Sequence, residues 1–575
     1  MAVHATPAQA LDDFDYEILR NYFLTSVREM VGVTVRAAYS TCFSEGLDFS
    51  CALFDAQGRM YAQEGGLAVH LGGLFDVVQA IEQAYPEMAP GDVFIHNDPL
   101  NGGSHQADVA VAVPMYAGST RIGTAVNRGH WIDVGGMAAG GWSGGYTHAL
   151  QEGLRLPPVR LYEGGTLNRE VKDILLANIR KPLESWGDLE AQLASCRAAE
   201  TRIVEAIERC GMDGYERSID YALDYSRRRL AAAIEAIEPG VYVGTDEMED
   251  DGQGNGPFDL TARVTVGDGR IDVDLTEASP QAEGPINCSW GVVKAGVYTA
   301  LKAMLDPEMP LDSALLDLVT VSAREGTWVR PVYPAPTFGS TAEPSNRVCE
   351  AVLRAFADAV PERSMAYSYS SGVNLTGSGF HPDDGSEFVF YQFGPGGCGA
   401  RSDADGNSAS WHPMCSCKNE SIELWERRYP VRFTGFRLRP DSGGAGRFRG
   451  GLGYRKDFVV LSDVRLNAFQ DRHERGAPGI FGAEAGVPNA LLFEIDGVWG
   501  DAKEHFGSLS KSKLDNVRLP AGSTISIRVG GGGGWGRPTE RSRAAVEHDV
   551  DFGYVTAEAV EAALATDALD EDGSA

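Results

Sequence analysis

The stretch HNDPLNGGSHQADVAVAVPMYAGSTRIGTAVNRGHW, residues 96–131, decides how the first part of the chain folds. It opens with the turn Asn-Asp-Pro at 97–99, where a preceding strand has to end because proline cannot continue a β-ladder. Two runs rich in β-branched residues follow at 109–115 and 121–127, separated by a short segment that contains Gly118. This pattern predicts a β-hairpin.

The hairpin brings three ligating side chains, His105, Asp108 and His130, to one end of its ladder. With the turn centred near residue 118, we expect Asp108 opposite Arg128 and His130 opposite residue 106. Two imidazoles and one carboxylate suit Zn, Mn or Fe, and three ligands leave positions open for water or substrate. Such a site can lower the pKa of a bound water. The alternative is that these are turn residues bonded to loop backbone, and spacing alone leaves both interpretations open.

Further polar and glycine-rich segments surround this group. Asp48 lies beside a second predicted hairpin, formed by the runs at 49–55 and 59–63. The glycine-rich stretch 134–145 would let backbone amides approach a ligand, or would serve as a lid. His148 and Glu152 follow at a distance that fits general-base work, although ordinary surface residues fit the same positions.

A second cluster of potential ligands is His412, Cys415 and Cys417. Its spacing is irregular for zinc. Core thiols, or thiols that line a substrate pocket, are alternative interpretations, and we assign the cluster no role. The run 530–536 contains a formal GxGxxG, but Pro538 interrupts the helix that would have to follow it. Because the sequence contains no P-loop motif, we expect another subunit to bind any ATP.

The rest of the chain separates into helical and strand-rich regions. Apolar residues recur at helical spacing over 14–40, 70–85, 167–238 and 291–305, whereas strand patterns dominate from residue 241 onward. This arrangement predicts an α+β fold of mixed β-hairpins with a long helical insertion and a β-rich C-terminal half. We divide the chain into a metal-binding α+β domain (1–165), a helical segment (166–238), a β-rich α+β region (239–540) and an acidic tail (541–575).

Composition narrows the possible partners. The 575 residues carry 50 Lys and Arg against 81 Asp and Glu, a net charge of −31. Nucleic acid and anionic membrane surfaces would be repelled, so we expect neither as a partner. The N-terminal segment lacks the basic and apolar regions of a secretory signal, and the nine cysteines show no repeated spacing. We therefore expect a cytoplasmic protein with free thiols.

Several motifs, in chain order, resemble the hydantoinase B/oxoprolinase family. They are GDVFIHNDPLNGGSHQADVAVAVPM (91–115), NRGHWIDVGG (127–136), QEGLRLPPVRLYEGG (151–165), SPQAEGPIN (279–287), LRPDSGGAGRFRGGLG (438–453) and GGGGWGRPTER (531–541). The resemblance implies one subunit of a hetero-oligomer whose hydantoinase A-like partner binds ATP and Mg. It also implies that His105, Asp108 and His130 bind one divalent metal, with Asp48 as a further candidate ligand.

The resemblance implies an ATP-dependent hydrolase of lactams or hydantoins, whose amide oxygen is activated by phosphorylation before water opens the ring. A related implication is a ketone carboxylase of the acetone or acetophenone type. This chain departs from the family pattern at Trp131, where many relatives have a second histidine. Trp131 and Trp142 are expected to line a pocket for an apolar or aromatic cyclic amide or ketone. A non-catalytic scaffold and a mononuclear iron oxygenase are the remaining alternatives.

Overall fold

A computed structural model describes residues 12–65 and 67–563. Its helices and strands are mixed irregularly, which confirms the predicted α+β class. The helices are α1 (Asp13–Ala37), α2 (Thr41–Ser44), α3 (Ala68–Ala84), α4 (Arg169–Ala177), α5 (Pro182–Glu235), α6 (Trp290–Leu305), α7 (Glu343–Ala357), α8 (Ile422–Arg428), α9 (Ala502–Phe506) and α10 (Arg543–Asp551). The expected tip of the acidic tail lies outside the described residues.

The strands form four sheets. In chain order they are β1 (Phe49–Asp55), β2 (Met60–Gly65), β3 (Val93–His96), β4 (Asp108–Ala117), β5 (Thr120–His130), β6 (Val159–Glu163), β7 (Thr166–Leu167), β8 (Gly240–Met248), β9 (Phe258–Gly267), β10 (Arg270–Asp274), β11 (Val319–Ser322), β12 (Asn374–Phe380), β13 (Glu387–Gln392), β14 (Val431–Leu438), β15 (Tyr454–Val460), β16 (Val464–Phe469), β17 (Ala490–Ile495), β18 (Val498–Gly500), β19 (Lys513–Leu519) and β20 (Thr524–Arg528). Their orders are β2-β1-β5-β4-β3-β6-β7, β11-β10-β9-β8, β13-β12-β16-β19 and β14-β15-β20-β17-β18.

The predicted hairpin is β4 and β5 at the centre of the seven-stranded sheet, but its expected register was wrong. Asp108 pairs with His130, not with Arg128. The turn is centred between Gly118 and Ser119, half a residue later than expected, and a bulge leaves Ile122 unpaired in β5. The two effects move the pairing by two residues, so the carboxylate and the imidazole face each other directly.

Long helices cover one face of this sheet. Helix α1 packs along α5, and α5 also contacts β4 and β5. The sequence predicted two or three helices across 167–238, and the structure has α4 followed by the 54-residue α5. Gly211 divides α5, because its φ of 73° is not helical. Phe23, Val27 and Met30 of the predicted stripe on α1 are buried in the core beneath the sheet.

The largest hydrophobic core joins regions that the sequence analysis divided. It includes side chains from the seven-stranded sheet, from α5, from the β8–β11 sheet and from α6 and α7. The division at residues 165 and 238 stays a prediction. A second core fills the C-terminal half between its two sheets. Among the described residues, no helix is long and apolar enough to cross a membrane.

Candidate metal centre

Three side chains converge at the end of the β4–β5 hairpin. His105 comes from the loop before β4, Asp108 is the first residue of β4, and His130 is the last residue of β5. Asp108 Oδ1 lies 3.1 Å from His105 Nε2 and 3.3 Å from His130 Nδ1. The two imidazole nitrogens are 3.2 Å apart. All three side chains are almost fully buried. The corrected register thus produces a tighter cluster than the predicted register would have given.

The donor set fits a divalent transition metal. Ligand atoms held about 2.0–2.2 Å from one ion lie roughly 3.0–3.5 Å from each other in tetrahedral or octahedral geometry, and the three separations here fall in that range. Asp108 Oδ1, the carboxylate oxygen that lies closest to both imidazole nitrogens, is buried without a hydrogen-bond partner. Within the described part of the chain, this is the one group of at least three His, Cys, Asp or Glu side chains whose ligand atoms are close enough to share an ion.

A fourth buried residue, His70, orients the carboxylate. It lies in the first turn of α3, and its Nε2 is 3.0 Å from Asp108 Oδ2. Ser104 donates its hydroxyl to the same oxygen at 2.5 Å. Burial would raise the pKa of Asp108, but the charges of His105 and His70 and the close polar contacts of His105 and His130 outweigh burial and hold the pKa well below its usual value. The carboxylate therefore stays ionised.

The sequence analysis missed His70. Thirty-five residues separate it from His105, and no motif links the two positions. The available sequence signal was a histidine in an otherwise apolar segment, at the start of the predicted helix 70–85.

Asp48 lines the same cavity but is not one of the three converging ligands. Its carbonyl oxygen accepts a hydrogen bond from the His130 amide at 3.0 Å, which ties the end of β5 to the segment before β1. Burial raises the pKa of the Asp48 carboxyl to about 7, against the lowering effect of His130. Its role as a fourth ligand stays a prediction.

The cavity in front of the cluster is small and aromatic. Its volume is about 50 Å³. The aromatic side chains that line it are Trp142, Tyr369, Tyr391, Phe393 and Trp411. The ring of His130 stacks on Tyr391 with centroids 5.0 Å apart and on Trp142 at 5.9 Å. No Lys or Arg is among the described residues of the lining.

The two predicted tryptophans have different environments. Trp142 lines the cavity at the end of the glycine-rich stretch, where the φ angles of Gly140 and Gly141 are both 70°. A Cβ at position 141 would lie 1.9 Å from the ring of Phe338, so glycine is required there. Trp131 is buried away from the cavity and donates from Nε1 to Gln192 in α5 at 3.1 Å.

His148 and Glu152 do not line the cavity. His148 Nδ1 accepts a hydrogen bond from the Leu150 amide and so caps a short 3₁₀ turn. Glu152 is buried and accepts hydrogen bonds from the amides of Thr337 and Phe338, both at 2.6 Å, and from Gln106 Nε2 at 2.7 Å. Burial raises its pKa to about 8. Its hydrogen bond with Gln106 supports the loop that carries His105. The predicted general-base role of His148 and Glu152 stays a prediction.

The second cluster of potential ligands lines the same cavity and consists of His412, Cys415 and Cys417. His412 Nε2 is 3.1 Å from Glu350 Oε1, and His412 Nδ1 accepts from the Met414 amide at 3.3 Å, so the ring is held from both sides. Of the interpretations left open by the sequence, the structure favours thiols that line the pocket.

The hydantoinase B/oxoprolinase family matches residues 12–538. The chain belongs to this family. It is 31% identical to the caprolactamase subunit beta of Pseudomonas jessenii over 95% of this chain and 94% of that protein.

Two solved structures resemble the whole chain. The crystal structure of the ATP-dependent caprolactamase from Pseudomonas jessenii superposes with a TM-score of 0.87 at 29% identity, covering 96% of each chain. The nucleotide-free structure of acetone carboxylase superposes with the same TM-score at 19% identity, covering 97% of this chain and 83% of that one, which shows a shared fold. The family resemblance inferred from the sequence motifs is confirmed.

Proposed function

We propose that this chain is the subunit of an ATP-dependent cyclic amide hydrolase in which the ring is opened, with His105, Asp108 and His130 holding one Zn, Mn or Fe ion. The observation that carries the proposal is the convergence of three buried ligand atoms, 3.1–3.3 Å apart, on an aromatic cavity. An A-type partner would bind ATP and Mg and activate the amide. The name of the relative from Pseudomonas jessenii supports a lactam as substrate and a second subunit.

The residues of the site would have three different roles. A divalent metal held there would lower the pKa of a water and so supply a nucleophile near neutral pH. His70 and Ser104 fix the orientation of the Asp108 carboxylate. Trp142 and Tyr391 stack on His130 and would limit the access of bulk water. This would protect an activated amide from losing its phosphate without opening of the ring.

The lining favours a neutral substrate. A carboxylate on the ring, as in 5-oxoproline, would need a cationic partner other than the metal when buried, and no Lys or Arg is found among the described lining residues. A plain lactam such as ε-caprolactam has no such requirement. Since the described cysteines are all unpaired and ATP is the energy source, we place the reaction in the cytoplasm.

The test is metal content and ring opening in the same samples. The wild-type chain should contain about one Zn, Mn or Fe and, with an A-type partner and ATP, convert ε-caprolactam to the amino acid. His130→Ala should lose both the metal and the product. Ring opening by a metal-free His130→Ala complex would contradict the proposal and favour a scaffold role. Bicarbonate-dependent consumption of a ketone would identify a carboxylase instead.

A further inference from the structure

Two buried hydrogen-bond donors without a partner belong to residues that line the cavity. They are Trp142 Nε1 and Asn374 Nδ2, and each residue is only 3% exposed. Leaving a buried donor unpaired destabilises the folded protein. Within the described residues the other buried lining atoms without a partner belong to the histidine and aspartate group. The two donors therefore form a separate feature of the same cavity.

The orientation of Asn374 is set by Tyr391. The Tyr391 hydroxyl donates to Asn374 Oδ1 at 2.7 Å, which uses the acceptor end of the amide and leaves the NH₂ end for the cavity. An indole nitrogen can only donate, so Trp142 presents the same chemistry. Tyr391 also stacks on His130 and, at 5.8 Å between centroids, on Trp142. One aromatic layer thus joins both donors to the candidate metal ligands.

The backbone at both donors is held in an unfavourable conformation. Trp142 itself has a φ of 52°, and Val373, the residue before Asn374, has a φ of 49°. Positive φ is unfavourable for a bulky or β-branched residue. The surrounding fold thus maintains two strained residues where the donors meet the cavity.

We infer that Asn374 and Trp142 are an oxyanion-binding pair that holds the anionic oxygen borne by the substrate's carbonyl carbon. The inference rests on the proposed function. It adds a pair of residues that stabilises negative charge on the substrate to the three residues that would bind the metal. When water bonds to the carbon of the O-phosphorylated amide, the C=N π-electron pair moves onto the ring nitrogen, which takes up the proton that the added hydroxyl loses. The added oxygen then carries the charge that two preorganised N–H groups stabilise, until its lone pair forms the new C=O bond as the ring C–N bond breaks. Neutral donors suit this role because the same oxygen is uncharged in the water that supplies it.

The first test compares turnover by variants that retain metal. Asn374→Asp replaces the donor with an acceptor of equal size, and Trp142→Phe removes the indole N–H. Each should lower kcat about 100- to 1,000-fold with unchanged metal content. Tyr391→Phe should have a smaller effect, because the amide remains but is free to turn. The control is Trp328→Phe, a buried tryptophan outside the cavity that donates to Asp259 O, and it should retain the wild-type kcat.

The outcomes separate this inference from the proposed function. An inactive wild-type complex would contradict the proposed function. An active wild type with Asn374→Asp and Trp142→Phe within about threefold of it would overturn the oxyanion pair alone.

A second measurement needs no activity and uses the wild-type chain. Nuclear magnetic resonance should show one indole N–H signal for each of the nine tryptophans, and the Trp142 signal is identified by its loss in Trp142→Phe. We expect acetate, whose anionic oxygen is borne by carbon, to shift that signal, and Asn374→Asp to abolish the shift. A response to inorganic phosphate alone would place the two donors at the phosphoryl group and overturn the inference. No shift with either anion would overturn the inference.

Discussion

His70 shows how one residue outside the ligand group affects it. Its Nε2 reaches Asp108 Oδ2, so His70→Phe would leave that oxygen with Ser104 alone. Loss of such an outer partner typically weakens metal binding 10- to 100-fold. We expect a loss of that size in a chelator-competition titration, whereas His70→Gln, which keeps a donor, should lose less. Equal affinities for wild type and His70→Phe would show that His70 has no orienting role.

Asp312 makes a pH-dependent contribution to stability far from the cavity. It accepts hydrogen bonds from Ser226 Oγ and the Ala314 amide, and burial raises its pKa from 3.8 to about 7. Between these two pKa values the folded chain holds a proton that the unfolded chain has lost, so the free energy of unfolding falls as pH rises. The fall from pH 4 to 7 should be on the order of 4 kcal/mol at most.

Asp312→Asn isolates this contribution because the amide does not titrate. Urea unfolding at several pH values should show the wild type losing stability relative to the variant as pH rises from 4 to 7. A constant difference between the two proteins across that range would contradict the raised pKa.

At the scale of elements, much could be predicted from sequence because the signals are local. The β4–β5 hairpin followed from two β-branched runs and a glycine turn, and α1, α3 and α6 followed from apolar spacing. The register could not be predicted, since the bulge at Ile122 depends on contacts with neighbouring strands. His70 and Asn374 were missed for a related reason: their partners, Asp108 and Tyr391, lie 38 and 17 residues away, and no sequence pattern records such contacts.

The break in α5 gives a prediction for that element. Gly211 has a φ of 73° and a ψ of 166°, a conformation that is essentially restricted to glycine and costs an L-residue about 1–3 kcal/mol, so Gly211→Ala should destabilise the protein by about that amount. The control is Gly32→Ala in regular α1, where a Cβ meets only the flexible end of Arg36 at 3.2 Å. That change should stabilise by about 0.5–1 kcal/mol. Urea unfolding measures both, and effects of the same sign would contradict a backbone cause.

At the scale of the whole molecule, a buried ionic cluster joins the two halves of the chain. Arg347 of α7 lies 2.7 Å from Asp471 Oδ2, and Lys513 at the start of β19 lies 3.2 Å from Asp471 Oδ1. All three side chains are fully buried. Arg347 belongs to the element that packs in the largest core, whereas Asp471 and Lys513 flank the β12–β19 sheet. The cavity lies between these parts, since both contribute to its lining.

Removing the shared anion should therefore weaken the connection between the halves. Asp471→Asn leaves Lys513 without its paired carboxylate and Arg347 with only its longer, 3.8 Å contact to Asp246. Breaking a buried ion pair in this way typically costs about 3–5 kcal/mol. We expect scanning calorimetry to show one transition for the wild type and an earlier, separate transition for the variant. Asp463→Asn, which breaks the exposed pair with Arg518, is the control and should leave the transition unchanged. If Asp471→Asn unfolds in one transition at the wild-type temperature, the cluster does not couple the two cores, and the cavity walls must be held together by apolar packing alone.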